Sequence, residues 1–160
     1  MAEYIPAILL WLFVINHGIA FGAGLYEQRI IWPQWFSRSD SGIRVNSAAM
    51  WSTDTGRKFW LPVTTVPLTL LTLASLAAAW QSQSPRYQWW LGAAVITLLE
   101  RIGTLSYIIP TALQLMRERE DALPAAKAGV MASQWMALNR VRTALAFVAW
   151  LAALRALSLP

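Results

Sequence analysis

Four runs of apolar residues, each long enough to cross a lipid bilayer, leave this chain few alternatives. Roughly 20 apolar residues at a 1.5 Å rise cover the hydrocarbon core, and the runs fall at about 4–31, 59–80, 87–116 and 132–157. In lipid the chain must satisfy its own backbone N–H and C=O groups, which restricts spans to helices or closed barrels. Apolar runs of this length without alternation are helical. The expectation is an all-α fold: a single domain over residues 1–160, an integral membrane four-helix bundle with a long interfacial loop between its first and second helices. A mean hydropathy of +0.43 agrees, as do ten tryptophans, because indoles settle at the headgroup boundary.

A net charge of +5 would suggest nucleic acid in a soluble protein. Here the basic residues sit in loops, so the expected partners are membrane lipids and no nucleic acid. Arg38, Arg44, Arg57, Lys58, Arg117, Arg119 and Lys127 lie on one side, against Arg86 and Arg155 on the other. That bias places loops one and three in the cytoplasm and both termini outside. The acidic Glu3, with no Lys or Arg before the first span, argues against a cleaved leader. Without cysteine, thiolate nucleophiles and thiolate metal sites are excluded, and the single His17 excludes a His-rich centre within one chain. No cofactor and no metal is expected: along the first helix Glu27 lies about 15 Å from the level of His17 and Glu100.

In the first span Asn16, His17, Ala20, Ala23, Gly24, Glu27 and Gln28 share one face of a helical wheel, while Gly18 and Gly22 share another. The first set reads as a cavity-facing stripe; the second is a candidate surface for close helix approach, including a homodimer. The long polar segment 32–58 is expected to lie on the membrane surface, with an interfacial helix around Val45 to Trp51. Pro67 cannot donate to the carbonyl of Val63, so an opened turn is expected in the second span, with the Thr64 or Thr65 hydroxyl taking the freed carbonyls. In the third span Thr97, Glu100, Thr104, Tyr107 and Thr111 fall on one arc with Arg101 beside it. Arg117 to Asp121 reads as helix leaving the membrane. In the fourth span Trp135, Asn139, Arg142, Thr143 and Ala146 share a face from which Arg140 points away.

Two charges in mid-span are costly unless they face a bundle interior or a watered cavity with partners. Counting depth along each helix puts His17, Glu100 and Arg142 within about 15–20 Å of their entry sides, near one level. Glu27, Tyr107, Thr111, Trp60 and Asn139 lie closer to the loop-rich side. The expected feature is a polar cleft open to that side, with its floor at His17, Glu100, Arg101 and Arg142.

Several motifs resemble the anthrone oxygenase-like family of small four-helix membrane proteins. They are GxxFGAGLYEQRIIWPQW in the first helix, FWLP at the start of the second, LSYIIPTALQL closing the third, and Trp135-x-x-x-Asn139-Arg140-Val141-Arg142-Thr143 in the fourth. That last motif commonly reads N-H-x-R-T, and Arg140 stands here at the His position. The resemblance implies a four-helix membrane fold and, for some members, cofactor-free oxygenation of an anthrone to an anthraquinone.

Such chemistry needs a base to take a proton from an acidic polycyclic or phenolic substrate and a cation to hold the oxyanion. The candidate catalytic residues are Glu100 or His17 as base, with Arg142 and Arg101 as cations. Asn139, Tyr107, Asn16 and Glu27 are candidates to orient the small hydrophobic ligand, and Trp60 and Trp135 to flank its ring. Two other readings stay open. Glu100, Arg101 and Arg142 can be an ion-pair network that fixes helix register, and the cleft can serve a non-catalytic ligand-binding or membrane assembly and transport module.

Overall fold

The computed structural model describes residues 5–39, 42–80, 84–117 and 124–159. Four long helices form the bundle: α1 (Ile5–Trp35), α3 (Gly56–Trp80), α4 (Pro85–Leu115) and α5 (Ala125–Leu157). Their outward faces are apolar and exposed, with Ile8, Leu70, Leu99 and Val141 at 54–63%, as an integral multi-pass membrane protein requires. Between α1 and α3 lie a hairpin, β1 (Phe36–Ser39) and β2 (Gly42–Val45), and the short helix α2 (Ser47–Thr53).

The helices extend further than hydropathy alone marks them. α1 continues to Trp35, and α5 begins at Ala125 and carries Gly129 inside it, whereas hydropathy alone marks the fourth span from about residue 132. In the other direction, the helix expected through Arg117 stops at Leu115, where Met116 and Arg117 turn back onto the carbonyls of Ala112 and Gln114. The rest of that charged segment lies outside the described residues. The segment read as a surface loop is ordered as a hairpin in register Phe36↔Val45 to Ser39↔Gly42. Gly42 takes φ +116°, a conformation open to glycine at no steric cost. The expected interfacial helix is present, shifted by two residues to Ser47–Thr53, because the Asn46 side chain accepts the Ala49 N–H (3.0 Å) and so caps its start.

Gly129 explains how the hairpin docks. A β-carbon there would stand 2.5 Å from the Ile43 carbonyl oxygen, so only glycine lets α5 lie against β2. Gly129→Ala is expected to cost about 1–3 kcal/mol through overpacking. Thermal unfolding in detergent and hydrogen exchange at β1–β2 will read this as a loss confined to the loop-rich end.

The interior is layered. Near the termini, Leu10, Phe13, Leu68, Trp90, Ala93, Ala94, Ala153 and Ala156 form an apolar core, and the alanines allow α4 and α5 to approach closely. Toward the loops, Trp32, Trp35, Phe36, Met50, Ile108, Leu115 and Trp135 form an aromatic cluster. Between these clusters lies a buried polar layer that includes Asn16, His17, Thr97, Glu100, Arg101, Thr104, Asn139 and Thr143. Gly18 packs against α5 of its own chain, where an added β-carbon would sit 3.3 Å from the Trp150 ring; one at Gly22 would meet nothing within 4 Å.

Three helices carry π-helical turns, Glu27–Ile31, Gly56–Thr65 and Thr104–Ile108. Each ends two residues before a proline: Pro33, Pro67 and Pro110. The residue before each proline bonds five residues back, Trp32 to Glu27, Val66 to Leu61 and Ile109 to Thr104. A proline lacks the N–H, and its ring crowds the carbonyl four residues earlier; the wider turn moves that carbonyl aside. At Pro67 the freed Val63 carbonyl accepts from Asn16 Nδ2 of α1 at 2.9 Å. The Thr64 hydroxyl expected there donates instead to Trp60 O.

Candidate functional site

The π-helical turns share a destination. Each contributes to one cavity of about 430 Å³ in the loop-side half of the bundle: Glu27 from α1, Trp60, Leu61 and Thr65 from α3, and Thr104 and Ile108 from α4. The face of α5 adds Trp135, Asn139 and Arg142, which recur at helical spacing and so point the same way. Opening a turn changes the angular register of the residues beyond it, which is how an otherwise apolar helix wall presents a carboxylate, an indole N–H and a hydroxyl to one space.

Glu27 is 6% exposed, and its Oε1 accepts from Trp60 Nε1 at 2.9 Å and from Thr55 Oγ1 at 2.7 Å. These two donors satisfy a carboxylate that would otherwise be costly at this depth. Across the cavity, the Arg142 guanidinium lies 4.6 Å from the centroid of the Trp60 ring. Among the described residues no carboxylate lies within ion-pair distance of it, and its buried Nε has no hydrogen-bond partner. Trp135 is fixed by its Nε1–H donating to Ile108 O at 2.9 Å and by ring contacts with Trp32, Trp35 and Phe36. Asn139 donates to Trp135 O at 3.1 Å, and Thr143 donates to Asn139 O while accepting from Gln28 Nε2 at 2.7 Å.

Five of the ten residues singled out from sequence therefore line the cavity: Glu27, Trp60, Trp135, Asn139 and Arg142. The other five do not. Glu100 is held by Arg101 through two bonds, Nε to Oε2 at 2.5 Å and Nη2 to Oε1 at 2.6 Å, and its Oε1 also accepts from Thr104 at 2.9 Å. Both partners of this pair are at most 5% exposed. Below it, His17 Nε2 meets Thr97 Oγ1 at 2.9 Å. Because that hydroxyl donates to Ala93 O at 2.7 Å, it accepts from the imidazole, whose ring packs T-shaped with Phe13, centroids 4.5 Å apart. Asn16 is committed to Val63 O, and the Tyr107 hydroxyl lies 3.5 Å from Gln134 in an exposed contact.

The expected floor is thus corrected. The cavity is lined as far as Thr104 and Arg142, while Glu100 and Arg101 bond each other and His17 bonds Thr97. Among the described residues no three His, Asp or Glu side chains gather as ligands. Sequence reading missed Trp35 at the end of α1, Met50 on α2 and Thr55 between α2 and α3, all of which line the site. No local pattern marks Met50 and Thr55, since only the folding back of the connection between α1 and α3 brings them to the bundle.

The family model described as anthrone oxygenase matches residues 51–152. That range covers α3, α4 and most of α5, and leaves Glu27 outside. No curated protein and no solved structure matches the chain. Arg140, at the position where the motif commonly carries His, is exposed and lies 5.8 Å from the Trp32 ring centroid, and it is not among the cavity residues.

Proposed function

This chain belongs to the anthrone oxygenase family, and on that premise we propose that the cavity binds a flat, hydrophobic phenolic or polycyclic molecule and oxygenates it without a cofactor. Glu27 takes a proton from the activated CH₂ of the substrate. The resulting charge spreads onto a ring oxygen, where Arg142 holds it. The carbanion gives its electron pair to molecular oxygen, the hydroperoxide so formed loses water, and the CH₂ becomes a carbonyl. One oxygen atom stays on the product; the other leaves as water with the two hydrogens.

The observation that carries this reading is Arg142, a cation in an apolar cavity with no carboxylate paired to it among the described residues. A mid-span charge without a partner is costly, and an anionic ligand supplies the partner. The size of about 430 Å³ fits small-molecule sites, and Trp60 and Trp135 offer aromatic surface to a planar ring.

The test is oxygen uptake with 1,8-dihydroxyanthrone in proteoliposomes, measured above the background of empty vesicles. Glu27→Gln keeps an acceptor for Thr55 and Trp60 and removes the base, so the protein is expected to fold normally and lose about 10²–10⁴ in rate. No rate above background in the wild type sinks the proposed activity, and full activity in Glu27→Gln removes Glu27 as the base.

A further inference from the structure

The cavity has one side without tight packing, and that side faces the bilayer. Toward α1 and α5 its lining residues Glu27, Trp135 and Asn139 are buried. On the opposite side the lining residues Leu61 of α3 and Leu113 of α4 are 48% and 51% exposed. The close packing of α3 on α4 lies in their terminal-side halves, Val66–Trp80 against Pro85–Gly103, and the loop-side halves scarcely touch. The division falls at the two π-helical turns that precede Pro67 and Pro110.

Depth is set by helix length. Leu61 lies five residues inside the start of α3 at Gly56, and Leu113 two residues inside the end of α4 at Leu115. Both are therefore within roughly 8 Å of their helix ends along the axis, at the level where headgroups meet acyl chains. Toward water the cavity is bordered by Asp54, Thr55, Gly56 and Arg57. Arg57 Nε bonds Asp54 Oδ2 at 2.9 Å, and its guanidinium lies 5.0 Å from the Trp51 ring centroid. The aqueous border is thus tied together by an ion pair and a stacked cation, whereas the bilayer border consists of leucine side chains that lipid already solvates.

We propose that the gap between Leu61 and Leu113 is a lateral portal, through which the protein takes its ligand from the lipid phase. The ligand class is an amphiphile dissolved in the membrane, with a flat apolar body and an acidic oxygen. Such a molecule rests at the headgroup boundary with its rings among the acyl chains, so it passes the leucines without exposing its rings to water. The acidic oxygen then meets Arg142. The ligand's chemistry rests on the proposed function; the route rests on the packing of α3 and α4.

The chain has no cysteine, so Leu61→Cys/Leu113→Cys introduces the only two thiols. A flexible bifunctional methanethiosulfonate bridges them reversibly. The probe is 9-anthracenecarboxylate loaded into the bilayer of proteoliposomes, with binding read as energy transfer from tryptophan. Bridging is expected to slow uptake at least tenfold, and reductant to restore it. The rate of each single-cysteine variant capped with a monofunctional reagent is the reference against which bridging is read, and protein bridged after loading is expected to release the probe at least tenfold more slowly. An unchanged uptake rate after bridging, or no probe binding by the unbridged protein, overturns the portal. Binding is read without turnover, so the two readings fail separately. Portal-dependent binding without anthrone oxidation counts against the proposed activity alone, and anthrone oxidation undiminished by bridging counts against the portal alone.

Discussion

Arg142→Met will lower kcat/KM for 1,8-dihydroxyanthrone by about 10²–10³, the loss that follows removal of a single group stabilising an oxyanion in a water-poor site. It will also weaken binding of 9-anthracenecarboxylate, because the guanidinium of Arg142 is the buried cation of the cavity and its Nε is a donor with no partner among the described residues. The fold is expected to survive or gain stability. Methionine fills much of the same volume, and an unpaired cation at this depth is itself a cost. Arg142→Lys separates charge from shape: lysine keeps the positive charge and loses the planar stack on Trp60 and the fixed fork of donors. Its activity is expected to fall between wild type and Arg142→Met. Equal activity of all three proteins would exclude Arg142 from the reaction.

Glu100→Gln will have the largest effect on stability. It removes the carboxylate that both bonds from Arg101 reach and leaves a guanidinium that is 4% exposed without its partner. Breaking one side of such a pair costs about 3–5 kcal/mol, mostly the penalty of the stranded charge. Thermal denaturation in detergent will show the loss, and Glu100→Gln/Arg101→Met, which removes both charges, is expected to recover most of it. The double variant also separates structure from chemistry. With Glu27 as base, turnover returns together with stability. Restored stability without turnover would return the role of base to Glu100, acting through the Thr104 hydroxyl that bonds it and lines the cavity.

Why the Glu100–Arg101 pair drew attention in the sequence and yet does not line the cavity has a physical answer. A helical wheel ranks residues by angle, and by that measure Thr97, Glu100, Thr104 and Thr111 do face inward and are buried. It carries no information on which inward-facing groups satisfy one another. Adjacent side chains of opposite charge close on each other, and a threonine one turn away completes the carboxylate's bonds. Glu27 has no basic neighbour on its inward face, so it was left to be satisfied by Trp60 and Thr55, and it remains at the cavity wall.

The sequence by itself determined the four helices, their inward faces, the opened turn at Pro67 and the division of Arg140 from Arg142, because hydropathy, helical period and the missing proline N–H are local properties of the chain. Tertiary structure decided the rest. The docking of the hairpin on Gly129, the arrival of Thr55 and Met50 at the site, and the choice of Glu27 over Glu100 as the buried cavity carboxylate all depend on contacts between residues far apart in sequence. Three prolines in three helices set the wide turns locally, but only the packing of those helices turned them toward a single cavity.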